Sequence, residues 1–223
     1  MQLGELRAAH AELAQHLVGV LAEKRSEPLA LDDYLASPYL AEPFRSADCC
    51  LVNDGAGAFV MTSLERAREL RADPVVVLGV GCGVVPDGEY SSLREDYLAT
   101  AAVHSAPRAF AMAGIEPADV DFVALYDNFT ALVIQQLEDM GFCARGEGGP
   151  FVEGGRIELG GALPVNPSGG QLAQAFVFSV NHVVETVRQL RGDAGARQVA
   201  DAEVGVVTGY TGAQHATLVL GRG

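Results

Sequence analysis

Three polar breaks in an otherwise apolar pattern carry the residues that can do chemistry. The first is Tyr126-Asp127-Asn128, which follows the apolar run Phe122 to Leu125 and precedes a helical stretch. A tyrosine at a strand end can simply be packed, with its hydroxyl hydrogen-bonded. It can also serve as a general acid or base if its pKa is lowered or its proton is relayed. The second break is Asn166-Pro167-Ser168-Gly169-Gly170, at the head of another helical stretch. It reads as a turn set by Pro167, or as backbone that a substrate can approach closely. In the second case the amides of the following helix face a thioester oxygen or a carboxylate, with Asn166 as a side-chain donor beside them. The third break is the Gly212 turn, flanked by Tyr210 and His215 between two terminal strands.

Other candidate motifs point away from chemistry. Gly146-Glu147-Gly148-Gly149 lacks the Gly-Lys-Ser/Thr ending of a phosphate loop. Gly79-Val80-Gly81-Cys82-Gly83 misses the dinucleotide fingerprint because Val84 takes the third glycine's place. Cys82 is expected to be a buried strand-end thiol, with no histidine near in sequence to activate it. Cys49, Cys50, Cys82 and Cys143 form no Cys-x-x-Cys pair, and no zinc motif is present, so no metal site is expected. The single lysine, Lys24, sits in the amino-terminal segment, which argues against Schiff-base chemistry. His10, His16, His104 and His182 fall inside helical patterns and read as structural or surface residues.

The elements that must position these residues follow from periodicity. Helices are predicted over 3–25, 31–36, 64–70, 93–113 and 129–140, the last capped by Asp127 or Asn128 and closed by Gly141. One further helix runs from Gly170, with Leu172, Phe176, Val180, Val183, Val187 and Leu190 on its apolar stripe. Strands are predicted over 58–62, 75–80, 122–125, 204–208 and 216–220. Alternation of strands with helices implies a mostly parallel sheet covered on both faces. Sites in such sheets lie at the carboxyl ends of strands, where all three polar breaks would converge.

Composition narrows the partners. The chain has 223 residues, 49 % of them hydrophobic, enough for a sizeable core. A formal net charge of −14 disfavours nucleic acid, while a few local arginines can still hold a single anion. The first 25 residues are amphipathic and charged, unlike a signal peptide, and no apolar run approaches membrane-spanning length. A cytoplasmic protein with reduced thiols is expected.

Four stretches together resemble the lipid-transfer branch of the sterol-carrier-type thiolases. They are Asp48 to Ala58, Tyr126 to Gly149, Leu163 to Leu172 and Gly209 to Arg222. The resemblance implies an α/β, thiolase-like fold, of which this chain is the carboxyl-terminal half: a mixed five-stranded sheet with helices. Residues 49–223 would form that domain, and residues 1–48 a helical and irregular remnant of the family's loop domain. Thiolases take a nucleophilic cysteine from the other half. Here Tyr126 stands where the branch commonly has histidine, and the final turn carries Tyr210 without a cysteine.

Relatives with such replacements include aldolases that cleave a β-hydroxyacyl-CoA of a steroid side chain. The implied activity is thus retro-aldol cleavage without a covalent acyl intermediate. Tyr126 or Tyr210 would act as base or relay, and His215 would order Tyr210. Asn166 with Gly169 and Gly170 would hold the enolate oxygen, with Ser168, Gly148 and Gly149 in the substrate site. Coenzyme A enters as the substrate thioester, and no tightly bound cofactor is expected. The rival readings are a thiolase or acyltransferase half completed by a nucleophile-bearing chain, and a non-catalytic acyl-CoA-binding or assembly subunit. Expected partners are an amino-terminal thiolase half, an OB-fold acyl-CoA-associated protein, or further copies of the chain. No nucleic acid or membrane insertion is expected.

Overall fold

A computed structural model describes residues 29–70, 73–85 and 94–223. The helix expected over 3–25, with Lys24, His10 and His16, lies outside the described residues, as does Leu93.

In chain order the elements are α1 (Leu31–Ala36), β1 (Tyr39–Ala41), β2 (Phe44–Arg45), α2 (Leu64–Leu70), β3 (Val75–Val84), α3 (Ala102–Ala113) and β4 (Phe122–Ala124). They continue with α4 (Thr130–Asp139), α5 (Gly148–Val152), α6 (Gly170–Ala173), α7 (Val180–Arg191), β5 (Val204–Thr211) and β6 (Gln214–Arg222). The main sheet has the order β3-β6-β5-β4.

Only β4 and β5 run parallel; β6 is antiparallel to both β5 and β3. The sheet is therefore mixed, not mostly parallel. The two-residue turn between β5 and β6 makes them a hairpin, a connection that alternation counting does not see. A parallel bridge from Val123 to Val165 adds a fifth position beside β4.

Alternation along the strands builds two cores. Val123, Val206 and Val219 face α3 and α4, among Ala106, Phe110, Val133 and Leu137. Phe122, Ala124, Val207 and Leu220 face the opposite way, against Leu190 of α7. Both faces of the sheet are covered, as expected.

Helix α3 lies on β3 at backbone contact. A Cβ on Gly79, Gly81 or Gly83 would sit 2.1, 2.0 or 2.2 Å from the carbonyl oxygens of Ala109, Ser105 and Ala101. That row of glycines is a packing groove for a helix, consistent with its failure as a nucleotide fingerprint. Cys82, between them, points the other way and is exposed, contrary to the buried thiol expected.

Other departures have local causes. The predicted helix 93–113 begins only at Ala102, because the Asp96 carboxylate takes the amides of Leu98 and Ala99 in a turn. Residues 58–62 have no regular secondary structure and pair with no strand among the described residues. The helix predicted to run on from Gly170 is broken in two between Ala173 and Val180, where Phe178 and Ser179 adopt φ of 48° and 66°.

The first described segment is tied to the body by Asp48, which is fully buried. Its carboxylate accepts hydrogen bonds from the Tyr34 hydroxyl (2.9 Å), the Arg45 amide (2.7 Å) and the Thr130 hydroxyl at the start of α4 (2.8 Å). No helix among the described residues is long and apolar enough to cross a membrane.

Candidate active site

Tyr126 lies two residues beyond β4, and Tyr210 lies near the carboxyl end of the parallel neighbour β5. Their ring centroids are 6.1 Å apart. Phe176 meets Tyr126 edge-on at 6.4 Å and packs against Phe178 at 4.6 Å with the rings tilted by 54°. The two tyrosines singled out from sequence are thus brought together, and a four-ring aromatic path runs through them.

Tyr126 is buried, and desolvation pushes its hydroxyl up to about 12, helped by the nearby Cys50, Asp127 and Tyr210. It is a phenol at neutral pH, not a resting base. Cys50 was assigned no role from its sequence; its amide donates to the Asn128 carbonyl (2.9 Å), which seats it beside Tyr126.

Asp127 does something the sequence did not suggest. It does not cap the helix that follows it: α4 starts after Phe129, with no side-chain cap. Its buried carboxylate instead accepts the amides of Gln171 (2.9 Å) and Leu172 (3.3 Å), and His182 Nε2 approaches at 3.1 Å. Two of the helix amides that the sequence offered to a substrate oxygen, those of Gln171 and Leu172, are therefore already taken. Gly170 has φ of 58°, and a Cβ there would lie 2.1 Å from Asp127 Oδ2. The glycine admits a carboxylate of this chain, where the sequence suggested room for a substrate.

Asn166 is also spent within the fold. At φ of 48° it turns its amide onto Leu125, accepting from that residue's N–H (2.7 Å) and donating to its carbonyl (3.0 Å). Sequence alone could not distinguish a donor aimed at substrate from one closing a sheet edge. Ser168 is buried in the same turn, and its hydroxyl has no hydrogen-bond partner among the described residues. Gly148 serves helix packing: its amide donates to Glu138 (2.9 Å), and a Cβ would meet Ile134 at 2.6 Å. Gly149 is buried in the same short helix. These contacts are with α4 and not with the tyrosine pair.

His215 faces Tyr210 across the hairpin, with ring centroids 6.4 Å apart. Its nitrogens, however, are committed elsewhere. Gln136 uses its amide NH₂ on the carbonyls of Tyr126 (2.7 Å) and Leu132 (3.0 Å). Its Oε1 is thus the acceptor that faces His215 Nε2 at 3.2 Å. That fixes the proton on Nε2, so Nδ1 accepts from the Ser105 hydroxyl at 2.7 Å. Thr208 donates to Gln136 Oε1 (2.6 Å) and accepts the Tyr126 amide (2.8 Å). His215 therefore acts at a distance, through Gln136 and Thr208, on the backbone that holds Tyr126.

Burial lowers the His215 pKa to about 4, so the ring is neutral at pH 7. The unfolded chain, with histidine near 6.5, takes up a proton that the fold refuses. The neutral ring's contribution is full above pH 6.5 and shrinks as pH falls from 6.5 towards 4, by up to about 3 kcal/mol. We expect His215→Gln to flatten the acid limb of a stability-versus-pH curve from chemical denaturation. An unchanged limb would place the proton uptake elsewhere.

Among the described residues, no cluster of His, Cys, Asp and Glu could hold a metal ion.

Comparison with known proteins converges on one family. Residues 83–222 match the family model described as thiolase C-terminal domain-like. A 17-hydroxy-3-oxo-4-pregnene-20-carboxyl-CoA lyase of Mycobacterium tuberculosis is 41 % identical over 199 residues, covering 87 % of this chain and 51 % of the relative. A steroid side-chain-cleaving aldolase of Thermomonospora curvata is 38 % identical, covering 87 % of this chain and 50 % of the relative. Among solved structures, the Ltp2-ChsH2(DUF35) aldolase superposes with a TM-score of 0.88 at 32 % identity, over 99 % of this chain and 59 % of that one. The chain spans about half the length of the curated relatives it matches.

Proposed function

Since the chain belongs to the thiolase superfamily through its carboxyl-terminal domain, we propose that it is the catalytic-site half of an acyl-CoA carbon–carbon lyase, cleaving a β-hydroxyacyl-CoA by a retro-aldol route. The observation that carries this reading is the pair of tyrosines at adjoining strand ends, one of them a phenol with its pKa raised to about 12. Similarity to proteins named as a steroid side-chain-cleaving aldolase and an acyl-CoA lyase supports it.

A retro-aldol cut moves one proton and no net electrons. The β-hydroxyl loses its proton as its oxygen becomes a carbonyl. The Cα–Cβ bond then breaks, and its electron pair forms the thioester enolate, which is protonated at Cα. A neutral phenol suits this balance. Tyr126 gives its proton to the departing enolate and recovers one from the β-hydroxyl, directly or through Tyr210. The phenol never has to rest as an anion.

The working protein is an assembly. Residues 52–62 run over the surface without regular secondary structure, with Val52, Val60 and Met61 at 102, 95 and 74 % exposure. Gly57 packs closely on Val180 of α7, so this apolar ribbon is seated on one side and bare on the other. The part of the relatives that this sequence does not span, on the same polypeptide or on another, is what we infer completes the site. A smaller acyl-CoA-associated subunit is a further candidate, in line with the similarity to the two-component Ltp2-ChsH2(DUF35) aldolase.

The test is to isolate the chain with its partners from its own cells and identify them by native mass spectrometry. The complex is then assayed on β-hydroxyacyl-CoA thioesters with no free coenzyme A. Release of a carbonyl compound and a shorter acyl-CoA supports the lyase. An absolute need for free coenzyme A identifies thiolytic transfer instead; similarity to an acetyl-CoA acetyltransferase of Methanothermobacter thermautotrophicus, 36 % identical, favours that second reading. A tight complex that binds thioesters but turns over neither reaction identifies an assembly subunit.

A further inference from the structure

Beyond the end of β4 the backbone is held by side chains instead of strand pairing. The β4–β5 register stops at Ala124 and Val207, so Leu125 and Tyr126 lie past the ladder. Leu125 has both its N–H and its carbonyl on the Asn166 amide. Tyr126 donates its N–H to the Thr208 hydroxyl (2.8 Å), and its carbonyl accepts from the Gln136 NH₂ (2.7 Å). Thr208 in turn donates to Gln136 Oε1 (2.6 Å). Gln136 and Thr208 thus close a hydrogen-bonded ring around both peptide groups of Tyr126. Tyr210, by contrast, is fixed by strand pairing with His215.

Gln136 is the hub of that ring, and its amide has one orientation. The NH₂ donates to the carbonyls of Tyr126 and Leu132, while Oε1 accepts from Thr208 and from His215 Nε2. Both of its donors and both lone pairs are therefore used. A flipped amide would set its oxygen against two carbonyls and its NH₂ against the N–H of His215. Behind His215, the Ser105 hydroxyl donates to Nδ1 and meets the Thr217 hydroxyl at 2.8 Å. Gln136, Thr208, His215, Ser105 and Thr217 are all 2 % exposed or less. Apolar side chains would seal this interior equally well, and a buried polar cluster adds little net stability over them. What a fully satisfied network adds is a single fixed geometry.

We propose that Gln136 is a positioning residue for the carbon–carbon cleavage: without touching substrate, it sets the place and direction from which Tyr126 presents its hydroxyl. This rests on the lyase reading above. Misplacing a reacting group by about 1 Å can cost on the order of 10²-fold in rate. The rings of Phe176 and Tyr210 border Tyr126 at 6.4 and 6.1 Å, but ring contacts let a side chain slide, whereas hydrogen bonds on both of its peptide groups do not.

The experiment measures kcat, KM and Tm on the isolated complete assembly. Thr208→Val keeps the shape and deletes the hydroxyl of the ring, Thr208→Ser keeps the hydroxyl, and Gln136→Met replaces the hub with an apolar chain of similar length. Each is made alone and together with Tyr126→Phe. Leu190→Ala, in the core on the opposite face of the sheet, is the destabilised control. We expect kcat to fall about 10–100-fold in Gln136→Met and Thr208→Val, with KM and the Thr208→Ser rate within about three-fold of wild type. With Tyr126→Phe present, the same changes should lower kcat by less than about two-fold, because the hydroxyl they place is already gone. Leu190→Ala should lower Tm without that loss of kcat. An equal loss in both backgrounds, a loss in Leu190→Ala as large as in Thr208→Val, or unchanged kcat in the ring variants overturns the proposal. If Gln136→Met does not fold, Thr208→Val against Thr208→Ser decides it. A wild-type assembly that turns over no β-hydroxyacyl-CoA, or a Tyr126→Phe assembly with full turnover, removes the functional reading instead, and this inference with it.

Discussion

Replacing Tyr126 with phenylalanine in the complete assembly lowers kcat by about 10²–10⁴-fold while leaving thioester binding within a few-fold. The ring is buried and packed between Phe176 and Tyr210, and phenylalanine keeps that packing. Only the hydroxyl is lost. Because burial holds that hydroxyl protonated, with its pKa near 12, wild-type turnover should show no loss from Tyr126 ionisation between pH 6 and 10. An activating group that had to rest as phenolate would give a rate rising steeply with pH over that range. Tyr210→Phe is the companion: if Tyr210 relays the proton, its loss approaches that of Tyr126, and the double variant costs little more than either single one. Single-turnover assays with equilibrium binding on the same samples separate the two quantities. Full turnover by Tyr126→Phe would remove the phenol from the chemistry.

Much of this site was legible in the sequence, and the remainder was not, for physical reasons. Apolar runs ending in a polar residue located Tyr126, and the strand pattern located Tyr210. Their meeting follows from β4 and β5 being parallel neighbours. Family resemblance supplied the mixed sheet that alternation alone misjudged. What stayed hidden were choices between equivalent partners. Asp127 could cap the helix next to it or one beginning 43 residues later; only the fold shows that Gln171 and Leu172 claim it. Asn166 and the Gly169–Gly170 turn carry donors whose targets cannot be read from their order. The break at 174–179 contains neither glycine nor proline, so the apolar stripe from Leu172 to Leu190 passes through it as if it were one helix. His215 was visible as a candidate, but its commitment to Ser105 and Gln136 depends on residues 110 and 79 positions away.

Asp127→Ala should cost about 3–5 kcal/mol of stability, the range for removing a buried charged partner. The carboxylate is wholly buried and draws together the amides of Gln171 and Leu172 and the ring of His182. Its removal strands all three in a dry interior, so Tm should fall by roughly 10 °C. Asp127→Asn separates charge from shape. One amide oxygen can still accept from Gln171, but the new NH₂ at the other position faces the Leu172 N–H, donor against donor. That variant should lie between wild type and alanine. Gly170→Ala attacks the same contact from the other side, since its Cβ would fall 2.1 Å from Asp127 Oδ2 and its φ of 58° suits glycine. If the carboxylate, and not the turn itself, is what demands glycine here, combining Gly170→Ala with Asp127→Ala should cost clearly less than the two single losses added together. Strict additivity in that cycle, or an Asp127→Ala loss below about 1 kcal/mol, would show that the turn stands without its carboxylate. The amides of Gln171 and Leu172 would then be free, and the substrate-oxygen site read from the sequence would be open after all.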